Sequence, residues 1–340
     1  MVEVGIIGAS GFTGAELLRL SAQHPEYDVV YASGDSQAGV RAADLYPGLA
    51  GAYPDLVFET FDLERARGLD LVFLGLPHAA SMAMAPQLVG HVACVVDLSA
   101  AYRLKDAAHY PTFYGFEHDQ PALLADAVFG LPELHRDELR AASLIATPGC
   151  HVTTAVLALR PFVEDGLIET RGITVDTMTG ITGAGRTPSA DNMFSSVDSN
   201  VEAYGLLHHR HTPEIEQELG AQVLFTPHLV PMSRGLFATC HARPAPGVSL
   251  STEMLLEVLR ARWSDEPFMI VTADSPSTKA TLGSNAVHVS ARYDDRTGTV
   301  LAFAALDNLG KGASGAAVHA ANVALGFEET AGLATIGVAP

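Results

Sequence analysis

Apolar and polar positions alternate along the first hundred residues in blocks that read as strand, loop and helix in turn. Val2–Ile7 is an apolar run of the kind a buried parallel strand shows. It enters the glycine-rich loop Gly8-Ala9-Ser10-Gly11-Phe12-Thr13-Gly14, and a helical pattern with Leu17, Leu18 and Leu20 follows over 15–23. Strands are then expected over 28–33, 69–76 and 93–97, with a helix over 82–89 between the last two. That rhythm predicts a doubly wound parallel sheet whose ligand sits at the carboxyl ends of its strands. Past residue 150 the pattern changes. An apolar helix over 152–163 precedes strands at 172–180, 236–242 and 286–293, the last two alternating as an antiparallel sheet would. A small-residue helix over 313–326 suits close packing back against the first domain. The fold class expected is therefore α/β: a Rossmann-type dinucleotide-binding domain over 1–149, completed by a C-terminal helix over 308–340, and an α+β domain over 150–307 with a mixed or antiparallel sheet.

Composition narrows the classes of function. A chain of 340 residues exceeds one ordinary core. Three widely spaced cysteines make no disulfide framework and suit a reducing cytoplasm. The N-terminus enters a strand at once, without a signal-peptide pattern, and no run of about 18 apolar residues is present to span a bilayer. A net charge of −19 argues against nucleic acid or an anionic membrane as partner. An anionic substrate would need local arginines, so each one near a site counts.

The loop at residues 8–14 is the first chemical feature. Strand, glycine loop and helix point backbone N–H groups at a pyrophosphate. Gly8 permits the turn, Gly11 allows close approach, and Gly14 lets helix pack on strand. The spacing is G-x-x-G-x-x-G rather than G-x-G-x-x-G, and a glycine-rich turn without a ligand is the plainer reading. After the second strand, Asp35 is a candidate for an adenosine ribose, while Ser33, Ser36 and Arg41 could hold a 2′-phosphate; the residues leave that open. Arg103 follows the strand ending at Asp97, at the ligand edge of the sheet. That edge makes it an oxyanion candidate, against the ordinary reading of a solvated surface arginine.

The second feature is Ala146-Thr147-Pro148-Gly149-Cys150-His151-Val152. Pro148 and Gly149 break the strand-like run before them, so Cys150 falls at a helix start, where the dipole favours a thiolate. The alternative is a buried structural cysteine, which is the simplest reading for Cys94 and Cys240. Downstream lies His208-His209-Arg210-His211-Thr212-Pro213-Glu214. Thr212 is expected as N-cap, with Pro213 at the first helical position and Glu214 in the first turn. His211 then stands just before a helix. These histidines could be solvated, could pair as a base with Cys150, or could bind zinc through His209 and His211. No structural-zinc spacing completes a site, so no metal is expected. Arg186 lies in a loop over 179–189, and Arg234 follows a strand end; both are candidates for a substrate anion.

These residues resemble the N-acetyl-γ-glutamyl-phosphate reductase family, the arginine-biosynthesis branch of the aspartate-semialdehyde dehydrogenase superfamily. The motifs are G-A-S-G-F-T-G, L-P-H at 76–78, D-L-S-x-x-Y-R-L around Arg103, G-L-P-E at 130–133 and P-G-C at Cys150. They continue as G-I-T-G-A-G-R at 180–186, H-R-H-T-P-E-I at 209–215, P-M-x-R-G at 231–235 and D-N-L-x-K-G at 307–312. The family pattern has Asn before P-G-C and Tyr-Pro after it; here stand Thr147 and His151-Val152. The resemblance implies NADPH-dependent reduction of an acyl phosphate to an aldehyde through a cysteine thioester. It also implies a homodimer or homotetramer in the cytoplasm. NADP(H) would be bound by Gly8, Ser10, Gly11, Phe12, Thr13, Gly14, Ser33, Ser36, Arg41, Pro77 and Asn308. Cys150 would be the nucleophile, His211 the proton shuttle held by Glu214 or His209, and the Gly149–Cys150 helix end the oxyanion site. Arg103, Arg186 and Arg234 would bind substrate. A homologous aminoadipyl phosphate reductase of lysine biosynthesis, a cysteine acyltransferase or hydrolase, and a catalytically dead nucleotide sensor are the competing readings.

Overall fold

A computed structural model describes residues 1–338, and the chain divides into two compact units. The first comprises Met1–Pro148 and Ala313–Leu333; the second begins at Gly149, runs to Gly312, and takes up the chain again from Ala334.

The first unit is built on a six-stranded sheet of β1 (Val2–Ile7), β2 (Tyr27–Ser33), β3 (Leu71–Leu74), β4 (Cys94–Asp97), β5 (Val128–Phe129) and β6 (Leu144–Ala146). The order is β2-β1-β3-β4-β6-β5, and every pairing is parallel. Strands buried on both faces need apolar side chains in succession rather than in alternation, which is why β3 reads as an unbroken apolar run and β4 is apolar up to its last residue, Asp97. The order reverses between β1 and β3, so the turn after β1 opens at the switch point of the sheet. The helix Phe12–Ser21 starts within the glycine loop, three residues earlier than its leucine pattern suggests. The C-terminal helix is shorter than the expected 308–340. A single π-helical turn over Gly310–Ser314 leads into Gly315–Leu325, whose alanines pack on β4 and on the helices Phe12–Ser21 and Pro132–Leu139. Residues 310–312, at the start of that π turn, belong to the second unit, as does the chain from Ala334.

The second unit holds a mixed sheet of β7 (Ile173–Thr179), β8 (Glu202–Ala203), β9 (Val223–Leu229), β10 (Leu236–Ala242), β11 (Met269–Val271), β12 (Val287–Asp294) and β13 (Thr299–Leu306). Its order is β11-β12-β13-β10-β7-β9-β8, with parallel pairs at β11/β12 and β7/β9 and antiparallel pairs elsewhere. Alternation along β7 and β10 sends one set of side chains into the core and the other outward. The helix Cys150–Glu164 lies on β10 and β13, between Thr212–Leu219 and Thr252–Trp263, and is buried from His151 to Leu159. The outward face of the sheet keeps Met178, Leu224 and Ile270 exposed.

Candidate active site

The glycine loop discriminates between glycines required by the fold and one that is not. Gly8 has φ +87°, and a Cβ there would lie 2.9 Å from the carbonyl carbon of Gly75. At Gly14 a Cβ would fall 2.5 Å from the Cα of Ala9. Protein packing alone therefore demands both. Gly11 is different. A Cβ there meets only the Gly8 carbonyl oxygen at 3.6 Å, an ordinary contact. Gly11 is also the N-cap of the helix Phe12–Ser21; its own N–H is bonded to Gly8 O, and the missing side chain leaves an anion a clear approach to the first helical amides. The Ser10 hydroxyl donates to Gly34 O, and Tyr46 OH donates to Ser10 O, which pins the loop to the end of β2. Ser314 Oγ donates to the Thr13 carbonyl from the C-terminal segment. The carbonyl of Ser33 accepts the amides of Gly8 and Ala9, and Ser36 lies on a single 3-10 turn with Asp35 at φ +43°. Arg41 is exposed and bidentate to Asp44, with bonds of 3.0 and 2.8 Å. Pro77 is the N-cap of the helix His78–Leu88.

Arg103 is buried and donates through Nη2 to Leu98 O. Beside it, burial pushes the Asp97 carboxyl up, against hydrogen bonds from the Ser99 amide and hydroxyl and the Arg103 charge that pull it down. Arg103 is therefore no solvated surface residue.

Cys150 opens the helix Cys150–Glu164, with Gly149 as its N-cap in extended conformation. Two glycines make room around it. A Cβ at Gly312 would stand 2.9 Å from the Cβ of Cys150, and a Cβ at Gly149 would fall 2.7 Å from Cδ2 and Cε1 of His211. The His211 ring thus lies directly on the residue before the cysteine. Sγ of Cys150 and one nitrogen each of His151 and His211 lie within 4.8 Å of one another.

The helix start at Thr212 differs from expectation. His211 itself is the N-cap, with helical φ and ψ and no side-chain cap, and Pro213 occupies the second helical position. Its backbone N–H donates to Nδ1 of His209, so the bend at 209–211 is closed by an imidazole rather than by the threonine hydroxyl. His211 is buried rather than in a solvated loop. Glu214 is fully buried, and its Oε2 accepts the Gly149 amide at 3.1 Å. That bond has two consequences. The carboxylate anchors the cysteine's N-cap, and the helix-end donors open to an oxyanion begin at Cys150 rather than at Gly149.

Sequence reasoning missed His151, Tyr204 and Thr177 as members of the site. Nε2 of His151 is 2.9 Å from Tyr204 OH, and Nδ1 is 2.8 Å from Thr177 Oγ1. The departure from the family motif at position 151 was the only signal. The rings of His151, His209 and His211 stand 4.8–5.5 Å apart. Burial, then the neighbouring His209 and Arg210 charges, hold His151 well below the ordinary imidazole range. Burial and then Arg210 push His209 down to about 4. Among the described residues, the group of three that could hold a metal ion is Cys150, His151 and His211, which does not include His209.

Arg234 donates through Nε to both oxygens of Asp307, which is fully buried and also accepts the amides of Gly283, Leu309 and Gly310. Asn308 accepts from Gly235 N–H and donates to Thr182 Oγ1, tying β10 to the turn after β7. Arg186 is half-buried in the loop that follows Ile181–Ala184.

Residues 3–142 match the family model described as the semialdehyde dehydrogenase NAD binding domain, and residues 150–308 match the semialdehyde dehydrogenase dimerisation domain. Aspartate semialdehyde dehydrogenase II of Vibrio cholerae, complexed with ASA, has the same fold at a TM-score of 0.71 and 17% identity, over 96% of this chain and 98% of that one. The Candida albicans aspartate semialdehyde dehydrogenase with NADP gives 0.71 and 17%, over 95% and 98%. Fold and matched domains together define a two-domain oxidoreductase of the semialdehyde dehydrogenase class, with a parallel-sheet dinucleotide domain and a mixed-sheet dimerisation domain. Curated relatives narrow the class. N-acetyl-γ-glutamyl-phosphate reductase of Pelobacter propionicus is 42% identical over the full length of both chains, and that of Symbiobacterium thermophilum is 42% identical over 99% and 98%. The Pseudomonas entomophila enzyme of the same name is 40% identical over both full lengths. The chain belongs to the N-acetyl-γ-glutamyl-phosphate reductase family. No helix among the described residues is long and apolar enough to cross a membrane.

Proposed function

We propose that the protein reduces N-acetyl-γ-glutamyl phosphate to N-acetylglutamate 5-semialdehyde with NADPH and releases phosphate, a step of arginine biosynthesis. The observation that carries this reading is the gathering of Cys150 Sγ and a His211 nitrogen within 4.8 Å at a helix start, in a chain whose full-length relatives bear that enzyme's name.

His211 takes the proton of the Cys150 thiol. The thiolate attacks the acyl carbon, a C–S bond forms, and the C–O bond to phosphate breaks with its electron pair leaving on the phosphate oxygen. The imidazolium returns its proton to the departing phosphate. Bound NADPH supplies the hydride that brings the thioester to the aldehyde level. Cys150 then leaves as thiolate when the C–S bond breaks. General acid–base help of this kind is worth about 10²–10⁴-fold. His209, held neutral near pH 7, closes the backbone bend at His211, and Glu214 holds Gly149 in place; both act as positioning residues. Arg103, Arg186 and Arg234 are assigned to the substrate's phosphate and carboxylate, with Arg234 oriented by Asp307.

The pyrophosphate would sit on the loop at Gly8, Ser10, Gly11, Phe12, Thr13 and Gly14, beside Pro77, where the missing side chain at Gly11 lets it approach. Ser33, Ser36 and Arg41 are assigned to the 2′-phosphate and Asn308 to the nicotinamide side. The outward face of the second sheet, with Met178, Leu224 and Ile270 exposed, is the surface we assign to a homodimer, in keeping with the domain model's description. Three cysteines without a disulfide among the described residues suit a cytoplasmic enzyme.

The test is phosphate-dependent NADP⁺ reduction with N-acetylglutamate 5-semialdehyde, compared with its homologue one carbon longer. A preference for the longer aldehyde would transfer the protein to the aminoadipyl reaction. Hydrolysis of the acyl phosphate without NADPH oxidation would make it a hydrolase.

A further inference from the structure

The three-residue cluster around Cys150 carries more than a cysteine–histidine pair. Thiolate and imidazole are the donors that zinc and its neighbours in the first transition row prefer. Around a tetrahedral zinc, with S–Zn about 2.3 Å and N–Zn about 2.0 Å, donor atoms stand about 3.3–3.6 Å apart. The three here lie within 4.8 Å of one another, so closure takes ring rotations of about an ångström at the donor atoms. His151 is already held as metal-binding histidines are, with one nitrogen on a supporting hydroxyl: Nδ1 lies 2.8 Å from Oγ1 of Thr177, a fully buried strand residue. The other nitrogen faces the hydroxyl of Tyr204, which lies in the loop beyond the two-residue edge strand β8.

We propose that Cys150, His151 and His211 form an inhibitory site for a borderline divalent transition-metal cation such as Zn²⁺, bound through the Cys150 thiolate, Nε2 of His151 and a His211 nitrogen, with solvent or substrate oxygen in the fourth position. Binding displaces the Tyr204 hydroxyl and releases the thiol proton where Cys150 is protonated. It occupies the sulfur lone pair that attacks the acyl phosphate, so the metal and the thioester exclude each other. His151 is the residue that completes the set.

The experiment titrates the thiol-reduced, chelator-free wild-type enzyme with Co²⁺. One equivalent should develop a thiolate-to-cobalt charge-transfer band in the near ultraviolet, with visible bands of tetrahedral intensity that Zn²⁺ abolishes. Zn²⁺ should also slow alkylation of Cys150 by iodoacetamide and inhibit NADPH oxidation, and EDTA should restore both. His151→Gln should raise the Zn²⁺ concentration for half-inhibition at least about tenfold, since even loss of a supporting partner costs a metal site that much. Absence of the thiolate band overturns the site, as does inhibition of wild type and His151→Gln at the same Zn²⁺ concentration. The cobalt spectrum and the alkylation rates are read on wild type, so the answer stands even if the variant does not fold. The inhibition arm rests on Cys150 being the nucleophile. A cobalt–thiolate band with turnover untouched by Zn²⁺ would support the metal site and overturn that role instead.

Discussion

The ring of His211 rests on Gly149: a Cβ at position 149 would stand 2.7 Å from its Cδ2 and Cε1. Glycine is needed there for clearance, not for its own backbone angles, which are those of ordinary extended chain. Gly149→Ala should therefore drive the imidazole off the cysteine's helix end while the fold persists. Turnover should fall by about 10²-fold or more with NADPH affinity unchanged, read by steady-state kinetics and fluorescence titration. Wild-type turnover in this variant would show that the ring position seen here plays no part in the chemistry.

Cys150→Ser should abolish reduction and leave NADPH binding intact. A serine alkoxide is far scarcer at neutral pH than a thiolate, and an oxygen ester surrenders its leaving group poorly. Turnover at even a tenth of wild type would exclude the thioester route.

The two histidines of the 209–211 bend should separate. His211→Asn should cost about 10²-fold or more in turnover and move the pH profile of Cys150 alkylation upward, because an imidazolium that would stabilise the thiolate is gone. His209→Asn should do less, since that ring stays neutral down to about pH 4 and touches the site through the His211 backbone N–H. A dead His209 variant beside an active His211 variant would reverse the assignment.

Cofactor choice turns on the end of β2. NADPH should be preferred over NADH, and Arg41→Ala should reduce the preference. Arg41 is tied to Asp44, so Asp44→Ala, which releases it, should not weaken NADPH binding. Equal catalytic efficiency with both cofactors would hand the ribose to Asp35.

Acid should destabilise the second unit earlier than carboxylate titration alone would. His151 and His209 are depressed in the folded state, so the unfolded chain binds protons first. Their contribution is fully present above about pH 6.5 and is lost as pH falls toward the folded value of about 4 for His209. Midpoints of chemical denaturation between pH 7 and 4.5 should fall less steeply in His209→Gln than in wild type. Identical slopes would mean that the ring is solvated when folded.

The sequence by itself determined the features that depend on a few neighbouring residues. The glycine loop after β1, the largely apolar parallel strands, the alternating β10 and the helix beginning at Cys150 all follow from short-range sterics and side-chain period. It also determined which residue types were on hand, through motifs matching a family. Only the tertiary structure decided which of them meet. Glu214 reaches the Gly149 amide across 65 positions of chain and His151 reaches Tyr204 across 53, and no spacing rule operates over such loops. Local rules even misplaced the cap of the helix Thr212–Leu219, because the fold gave the bend at His211 to the half-buried His209 ring instead of to a threonine hydroxyl. Arg234 reads in the sequence as a substrate contact and Asn308 as a cofactor contact; only packing sets them against Asp307 and Thr182. Burial decided the rest: the low pKa of His209 comes from desolvation, which belongs to the folded molecule and not to the order of its residues.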